Sequence, residues 1–145
     1  MTPPSHAAQP AKQLLQPPAW TRPKGYANGV SVALPAGGRQ VFVAGQIGWD
    51  GEQRFHSDRL ADQARQALAN VVAVLAEAGA TPAHITRMTW YVTDKRAYLE
   101  QAREIGGHFR SLIGDFGIAM TAVQVQALIE DRALVEIEVT AVVPG

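Results

Sequence analysis

The fold of this chain is decided by two stretches near its C-terminal end, AMTAVQV at residues 119–125 and LVEIEVTAV at residues 134–142. Both are rich in β-branched residues and alternate with a period of two, which is typical of β-strands. Successive side chains of a strand point to opposite faces. In the second stretch one face is therefore apolar, carrying Val135, Ile137, Val139, Ala141 and Val143. We predict two adjacent strands that each bury one face in a core.

The other face of these strands has a mixed character. In the second stretch it carries Glu136 and Glu138, and in the first it carries Met120 and Gln124, with Thr121 on the side assigned to the core. A strand side that faces only solvent carries Lys and Thr more often than Met, Ala and Gln. We therefore expect this face to be half-buried, as an oligomer contact or the wall of a pocket would be.

Upstream, the sequence predicts two strands, a helix, a third strand and a second helix. The runs 29–34 and 40–44 are predicted as strands joined in a hairpin by the turn-forming residues between them. A helix is predicted over 57–79, because its apolar residues keep helical spacing and a glycine ends it. A strand over 85–93 and a helix over 95–113 follow. The order ββαβαββ indicates the α+β class, with both helices on one face of a single sheet and the other face left for a partner.

The composition limits the size and the partners of the protein. Its 145 residues suit a Pro-rich N-terminal arm over 1–23 and one domain over 24–145. Thirteen basic residues balance thirteen acidic ones, so no strong field would draw the chain to nucleic acid or to an anionic membrane. The arm has no apolar run that resembles a signal peptide or a membrane segment. We therefore expect a cytoplasmic protein.

Residue types that commonly hold metals give no pattern here. The chain has no cysteine, which excludes disulfides, thiolate ligands and a cysteine nucleophile. Its four histidines are scattered, without the spacing of a metal-binding motif. We expect neither a metal site nor another cofactor.

Five segments, in this order, resemble the RidA (YjgF) family of small trimeric proteins. They are Gly25-Tyr26, the run VFVAGQI at 41–47, the run WYVTD at 90–94, and the two C-terminal stretches. Each segment alone is a weak signal, whereas five in the family's order are a strong one. The resemblance implies a fold like that of chorismate mutase, with two helices on one face of a single mixed sheet. It also implies a homotrimer that holds small-molecule ligands in pockets between neighbouring subunits.

The resemblance assigns residues to the site. In family members that act as deaminases, a glutamate on the last strand positions or activates water, and it corresponds to Glu136. The tyrosine of the Gly-Tyr segment corresponds to Tyr26, and the turn glycine to Gly45, which precedes Gln46. Thr121 occupies the position of a small hydroxyl residue. We expect Glu136 to be the catalytic residue and the other four to bind the substrate.

The arginine that binds the substrate carboxylate in the family's deaminases is replaced in this chain. It corresponds to Met120, which has no charge and no hydrogen-bond donor, and a family asparagine early in the second helix falls near Ala102. Arg22 and Lys24, just before Tyr26, are candidates to supply a cation in its place. Activity on small amino-acid imines is therefore expected to be weak or absent.

Two interpretations of the function stay open. In the first, the chain hydrolyses an enamine, an imine or a related C–N bond of a substrate without the usual α-carboxylate, and Glu136 handles the water. In the second, it is a non-catalytic trimer that binds a ligand or regulates another process. In either case Trp49, Trp90 and His108 add aromatic surface if the fold brings them to the pocket. Ribonuclease activity, for which some family members are named, is not expected because the chain has no basic stripe.

Overall fold

The computed structural model describes residues 10–145, apart from 23, 26, 28 and 35. The strands are β1 (Lys12–Leu15), β2 (Gly29–Val32), β3 (Arg39–Ile47), β4 (Ile85–Val92), β5 (Ala119–Gln124) and β6 (Val135–Val143). The helices are α1 (Leu60–Glu77), α2 (Lys95–Glu100) and α3 (Ala102–Leu112), and a 3₁₀ turn spans Pro82–His84. Four strands form one sheet in the order β3-β6-β4-β5, and β1 pairs with β2 in a separate two-stranded sheet.

The four-stranded sheet is mixed, which confirms the predicted α+β class. β6 lies inside it and pairs antiparallel with β3 and β4, while β5 runs parallel to β4 at the edge. The alternation predicted for the last strand is also confirmed. Val135, Ile137 and Val139 are at most 2% exposed, whereas Glu136 is half-buried and Glu138 is exposed. The sheet therefore has one core face and one open face.

Helix α1 lies on the core face, as its periodicity predicts. Ala64, Leu68, Val71 and Leu75 are fully buried and recur at helical spacing. Burying a Val or Leu side chain contributes about 1.5–3 kcal/mol. Gly79 follows the helix with a φ of 69°, a left-handed conformation that glycine adopts without strain.

The predicted hairpin between the first two runs is wrong. β2 pairs with β1, a strand that lies within the expected N-terminal arm, and β3 pairs with β6. Lys12 holds β1 against the domain, because its ammonium group donates hydrogen bonds to the carbonyl oxygens of Ile85 and Phe116. Turn-forming residues show that the chain bends, but they do not show which strand becomes the neighbour.

The second predicted helix is divided at Gln101 into α2 and α3. Gln101 has φ and ψ of −98° and 9°, outside the helical range, and its side-chain oxygen accepts a hydrogen bond of 2.8 Å from the backbone N–H of Ala61. This contact with α1 is made between residues 40 positions apart. A periodicity that runs through both helices does not reveal it.

The expectation for the two faces of β5 is reversed. The parallel register pairs Met120 with Met88 and Ala122 with Trp90, and both partners are buried on the core face. Thr121, which was assigned to the core, is exposed on the open face. An edge strand next to a cavity carries small and flexible residues on its core face, so polarity alone misassigned it.

The open face carries the side chains of β3, β4, β5 and β6 that point away from the helices. Phe42 of β3 is 71% exposed there and Val123 of β5 is 41% exposed. The two carboxylates of β6, Glu136 and Glu138, share this face with Tyr91 of β4. In the part of the chain that the structure describes, no helix has the length and apolar character needed to cross a membrane.

Candidate functional site

A cavity of about 560 Å³ lies between helix α3 and the edge of the sheet formed by β4 and β5. Met120 and Thr121, two residues assigned by the resemblance, line it from β5. Ala102, at the position of the family asparagine, lines it from the start of α3. Tyr26 lies outside the described residues, but Lys24 lines the cavity. Several positions that the resemblance connects are therefore neighbours in this structure.

The inner wall of the cavity is apolar and aromatic. It is formed by Trp90, Tyr98, Ile105, Phe109 and Met120. The Trp90 and Tyr98 rings meet edge to face, with centroids 6.3 Å apart. Burial raises the pKa of the Tyr98 phenol, which keeps its hydroxyl group neutral. Such a wall suits the apolar body of a small molecule.

One buried polar group of this wall is unpaired. Trp90 is only 2% exposed, and its indole Nε1 has no acceptor among the described residues. A buried donor without an acceptor costs about 1–3 kcal/mol.

The rim of the cavity carries three charged residues, Lys24, Arg110 and Asp115. None of them forms an ion pair with another described residue. The Arg110 guanidinium lies close to Gly106, one turn earlier on α3, since a Cβ added at Gly106 would lie 3.3 Å from Arg110 Nη1. The break at Gln101 and the cavity bring Arg110 to the rim.

Glu136 lies on the open face of the sheet, against Gly45. A methyl group built at Gly45 would overlap the Glu136 carboxylate, so glycine leaves room for the side chain in this conformation. The pairing of β3 with β6 is irregular between Val43 and Gln46, and Gly45 lies within this bulge. Bulges redirect side chains and are common beside functional sites. The bulge and the glycine together position the carboxylate.

A second carboxylate on the open face was not singled out from the sequence. The Tyr91 hydroxyl donates a hydrogen bond of 2.9 Å to Glu138 Oε1. This hydrogen bond is the main cause that raises the pKa of the Tyr91 phenol. Strand alternation put Glu138 on the same face as Glu136, but the pairing of β4 with β6 was needed to bring Tyr91 to it.

Within one chain, the predicted site residues fall into two groups on opposite faces of the sheet. Met120 belongs to the cavity beside the helices, whereas Glu136 and Gly45 belong to the open face. Thr121 is exposed on the open face of the edge strand and also lines the cavity. Gln46 does not line the cavity, and its side-chain amide donates to the carbonyl oxygen of Ala44 at 3.1 Å.

Of the three aromatic candidates, only Trp90 reaches the cavity. Trp49 instead packs against Phe55, with ring centroids 5.7 Å apart. The His108 ring faces Glu104, and 4.0 Å separates its Nε2 from a carboxylate oxygen. In the described segments, no three His, Asp or Glu side chains are grouped so that they could hold a metal ion.

The model of the family described as endoribonuclease L-PSP matches residues 21–143. This chain belongs to that family, which is also called Rid or YjgF. The match covers both C-terminal stretches, the cavity and the bulge, so the family recognised from five short segments is confirmed. None of the curated proteins compared is significantly similar in sequence.

Solved structures of Rid proteins share the fold. The Rid family protein YyfB from Yersinia pestis, of unknown function, is 30% identical over 90% of this chain and 97% of its own, with a TM-score of 0.76. Rv2704 from Mycobacterium tuberculosis, a member of the YjgF/YER057c/UK114 family, is 35% identical over 81% of this chain and 86% of its own, with a TM-score of 0.58. RidA from the Antarctic bacterium Psychrobacter is 26% identical over 80% and 86%, with a TM-score of 0.62. Family membership supports a small-molecule-binding protein of the YjgF type.

Proposed function

We propose that this Rid protein hydrolyses an enamine, an imine or a related C–N bond of a small molecule bound in the Met120 cavity, and that Glu136 handles the water. The observation that carries the proposal is the position of Glu136. Its carboxylate is half-buried and lies in a space left free by Gly45 at a bulge. A half-buried carboxylate held at a bulge is placed as a water-handling group would be.

A homotrimer would bring the two groups of site residues together. The open face exposes Phe42 and Val123, and an apolar sheet face left in water is unfavourable. A closed ring of subunits buries such faces and leaves no unpaired interface to which further subunits could add. In this arrangement Glu136 of one subunit lies at the mouth of a neighbour's Met120 cavity. Phe42→Glu is expected to yield monomers in sedimentation, whereas Ile129→Glu, at a loop residue that is even more exposed, is expected to leave the trimer intact.

The chemistry needs one carboxylate and no further reactant than water. An enamine first becomes an imine by taking up a proton at carbon and releasing one from nitrogen. Water adds to the carbon of the C=N bond, and the carbinolamine that forms expels ammonia and leaves a carbonyl compound. Glu136 transfers one proton of the attacking water to the imine nitrogen. It then transfers the hydroxyl proton of the carbinolamine to the same nitrogen as ammonia leaves, so the carboxylate is unchanged after one turnover.

Met120 restricts the choice of substrate. An arginine at this position would bind an α-carboxylate through two parallel hydrogen bonds, and methionine provides none. Losing such a contact costs about 1.5–3 kcal/mol for each hydrogen bond to a charged group. Methionine instead offers a flexible, polarizable surface to an apolar or aromatic group. We therefore propose a substrate without an α-carboxylate on the reacting carbon.

A binding or regulatory trimer without turnover is the second candidate. It is favoured by the loss of two family positions together, since both Met120 and Ala102 line the cavity and neither can bind a charged substrate group. Ribonuclease activity is not proposed. The chain has thirteen basic and thirteen acidic residues, and the open face carries the carboxylates of Glu136 and Glu138 where a phosphodiester backbone would be repelled.

Ammonia release from freshly generated imines, with and without an α-carboxylate, tests the proposal. The wild type is expected to hydrolyse the imine without an α-carboxylate, and Glu136→Gln is expected to abolish this activity. Glu138→Gln, at the neighbouring carboxylate on the same strand, is the matched control and should stay active. Met120→Arg should shift the preference toward the α-carboxylate substrate. If neither the wild type nor Met120→Arg releases ammonia, the hydrolase proposal is wrong and the binding role stands.

A further inference from the structure

The rim of the Met120 cavity indicates which ligand it accepts. We propose that the cavity binds a monocarboxylate with an aromatic or branched apolar body, and that Arg110, assisted by Lys24, binds its carboxylate from the end of helix α3. This inference rests on the proposed small-molecule function, because it names the class of molecule that the same cavity takes. It moves the anion-binding group from position 120 on the strand to position 110 on the helix.

Arg110 is placed to act in this way. Ala102, Gly106 and Arg110 follow one another at intervals of four residues along α3, and all three line the cavity. The guanidinium lies close to Gly106, where a side chain would crowd it. It has no hydrogen bond or ion pair with any described residue, so its donors are available to a carboxylate. A guanidinium can present two parallel N–H groups to such a ligand.

The charges at the rim favour a monoanion. Lys24 and Arg110 each contribute one positive charge and Asp115 contributes one negative charge, which leaves a net charge of +1 along the cavity. A carboxylate balances this charge. A phosphate dianion would exceed it and would also meet the Asp115 carboxylate at the same rim.

The inner wall indicates the rest of the ligand. About 560 Å³ falls within the range of small-molecule sites, and the aromatic wall of Trp90, Tyr98 and Phe109 matches a ring or a branched chain. The indole N–H of Trp90 is buried without an acceptor among the described residues. The Trp90 ring lines the cavity, so the apolar body of a ligand would pack against the indole.

Arg110 and Met120 line the cavity from different elements, α3 and β5, so a carboxylate bound at Arg110 does not need an arginine on β5. In this proposal the carboxylate is bound from α3 by Arg110, and the C–N bond of the substrate is on the β5 side of the cavity, beside Met120. The site then selects a carboxylate several bonds from the C–N bond and leaves the α position apolar. Methionine at position 120 is the complement of such a substrate.

Calorimetric titration of the full-length protein with matched pairs of probes tests this inference. The probes are phenylacetate, 3-phenylpropionate and indole-3-acetate, each compared with its amide, which keeps the ring and the carbonyl but loses the charge. Wild type is expected to bind the best acid about tenfold more tightly than its amide, as one charge-assisted contact provides. Arg110→Gln is expected to abolish this preference. Arg103→Gln, which removes the same charge from an exposed position of α3 outside the cavity, should retain it.

Several results would overturn the inference. One is equal binding of acids and amides by the wild type, and another is an equal effect of Arg103→Gln and Arg110→Gln. Tighter binding of phenyl phosphate than of every acid would also overturn it, as would the lack of any acid with a Kd below about 1 mM.

An NMR titration gives a second readout. The indole ¹H–¹⁵N signal of Trp90 should shift on binding of the acid, while that of the exposed Trp20 should not. Binding is measured without turnover, so failure of imine hydrolysis would refute the hydrolase proposal and leave this one intact.

Discussion

Replacing Gly45 by alanine tests whether the Glu136 carboxylate is held by the absence of a side chain beside it. A Cβ at position 45 would lie 2.6 Å from Glu136 Cδ and 2.7 Å from its Cγ. Carbon atoms in favourable contact are about 3.5–4.0 Å apart, so the glutamate side chain must move. The φ of Gly45 is not in the left-handed region, and alanine therefore adds no backbone strain of its own.

The cost of this change follows from which atoms must move. Glu136 meets the new methyl group with its flexible side chain, which can rotate away at a cost of about 0.5–1.5 kcal/mol. Gly48→Ala is a useful contrast, because there the added Cβ would lie 2.7 Å from the backbone Cα of Gln63 in α1. The backbone of a packed helix cannot rotate aside, and overpacking of this kind costs about 1–3 kcal/mol.

A double-mutant cycle measures the contact directly. Urea unfolding of the wild type, Gly45→Ala, Glu136→Ala and the double variant, at one protein concentration, gives the four free energies of unfolding. Without the glutamate side chain the alanine has nothing to displace. The coupling energy is therefore expected to be about 0.5–1.5 kcal/mol, with Gly45→Ala destabilising only in the presence of Glu136. If Gly45→Ala costs the same in both backgrounds, the glycine does not position Glu136 and the argument is refuted.

Three further predictions concern buried or titrating side chains. The Gln63 side chain is 1% exposed and makes three hydrogen bonds to backbone groups. Gln63→Leu should therefore lower the free energy of unfolding, measured with urea, by about 1–3 kcal/mol for each buried backbone partner left unpaired. Gln66→Leu, at a half-buried position nearby, should cost less in the same experiment. Burial lowers the pKa of Lys12 in the folded state below 10.5. Between the pKa of the folded state and that of the unfolded state, the unfolded chain binds more protons, so the urea midpoint should rise with pH across this window. Lys12→Met should remove this rise. A hydrogen bond from His56 is the main cause that lowers the pKa of Asp50 to about 2. The contribution of the Asp50 carboxylate to stability is therefore present above pH 3.8 and is lost as pH falls through about 2. A ¹³C NMR titration of His56→Ala should find the Asp50 pKa closer to 3.8.

Much of the fold could be predicted because it depends on local periodicity. The apolar face of β6 and the buried stripe of α1 follow from which side chains share a face, and this is determined by the repeat of a strand or a helix. The hairpin of the first two runs could not be predicted in the same way. Strand pairing is a contact between distant parts of the chain, and here Lys12 binds carbonyl oxygens 73 and 104 residues away. Loop residues do not encode such a partner.

The candidate site also has some features that the sequence predicts and others that it does not. The residues assigned to it came from a resemblance of short segments, and the loss of the family arginine at Met120 was visible in the sequence itself. Trp90 was named only as an aromatic side chain that could contribute to the pocket, and Arg110 was not assigned to the site. Their meeting at one cavity depends on the break at Gln101, the angle of α3 and the parallel pairing of β5 with β4.

By itself the sequence determined the class of the fold, the family, the polar face that carries Glu136 and the absence of a charge at Met120. Only the tertiary structure decided that these two residues lie on opposite faces of the sheet, that Gly45 makes room for the carboxylate, and that Arg110 and Lys24 border the cavity. The physical reason is the range of the interactions. The alternation of side chains is set by neighbouring residues, whereas a cavity exists where elements distant in sequence pack together and leave space between them.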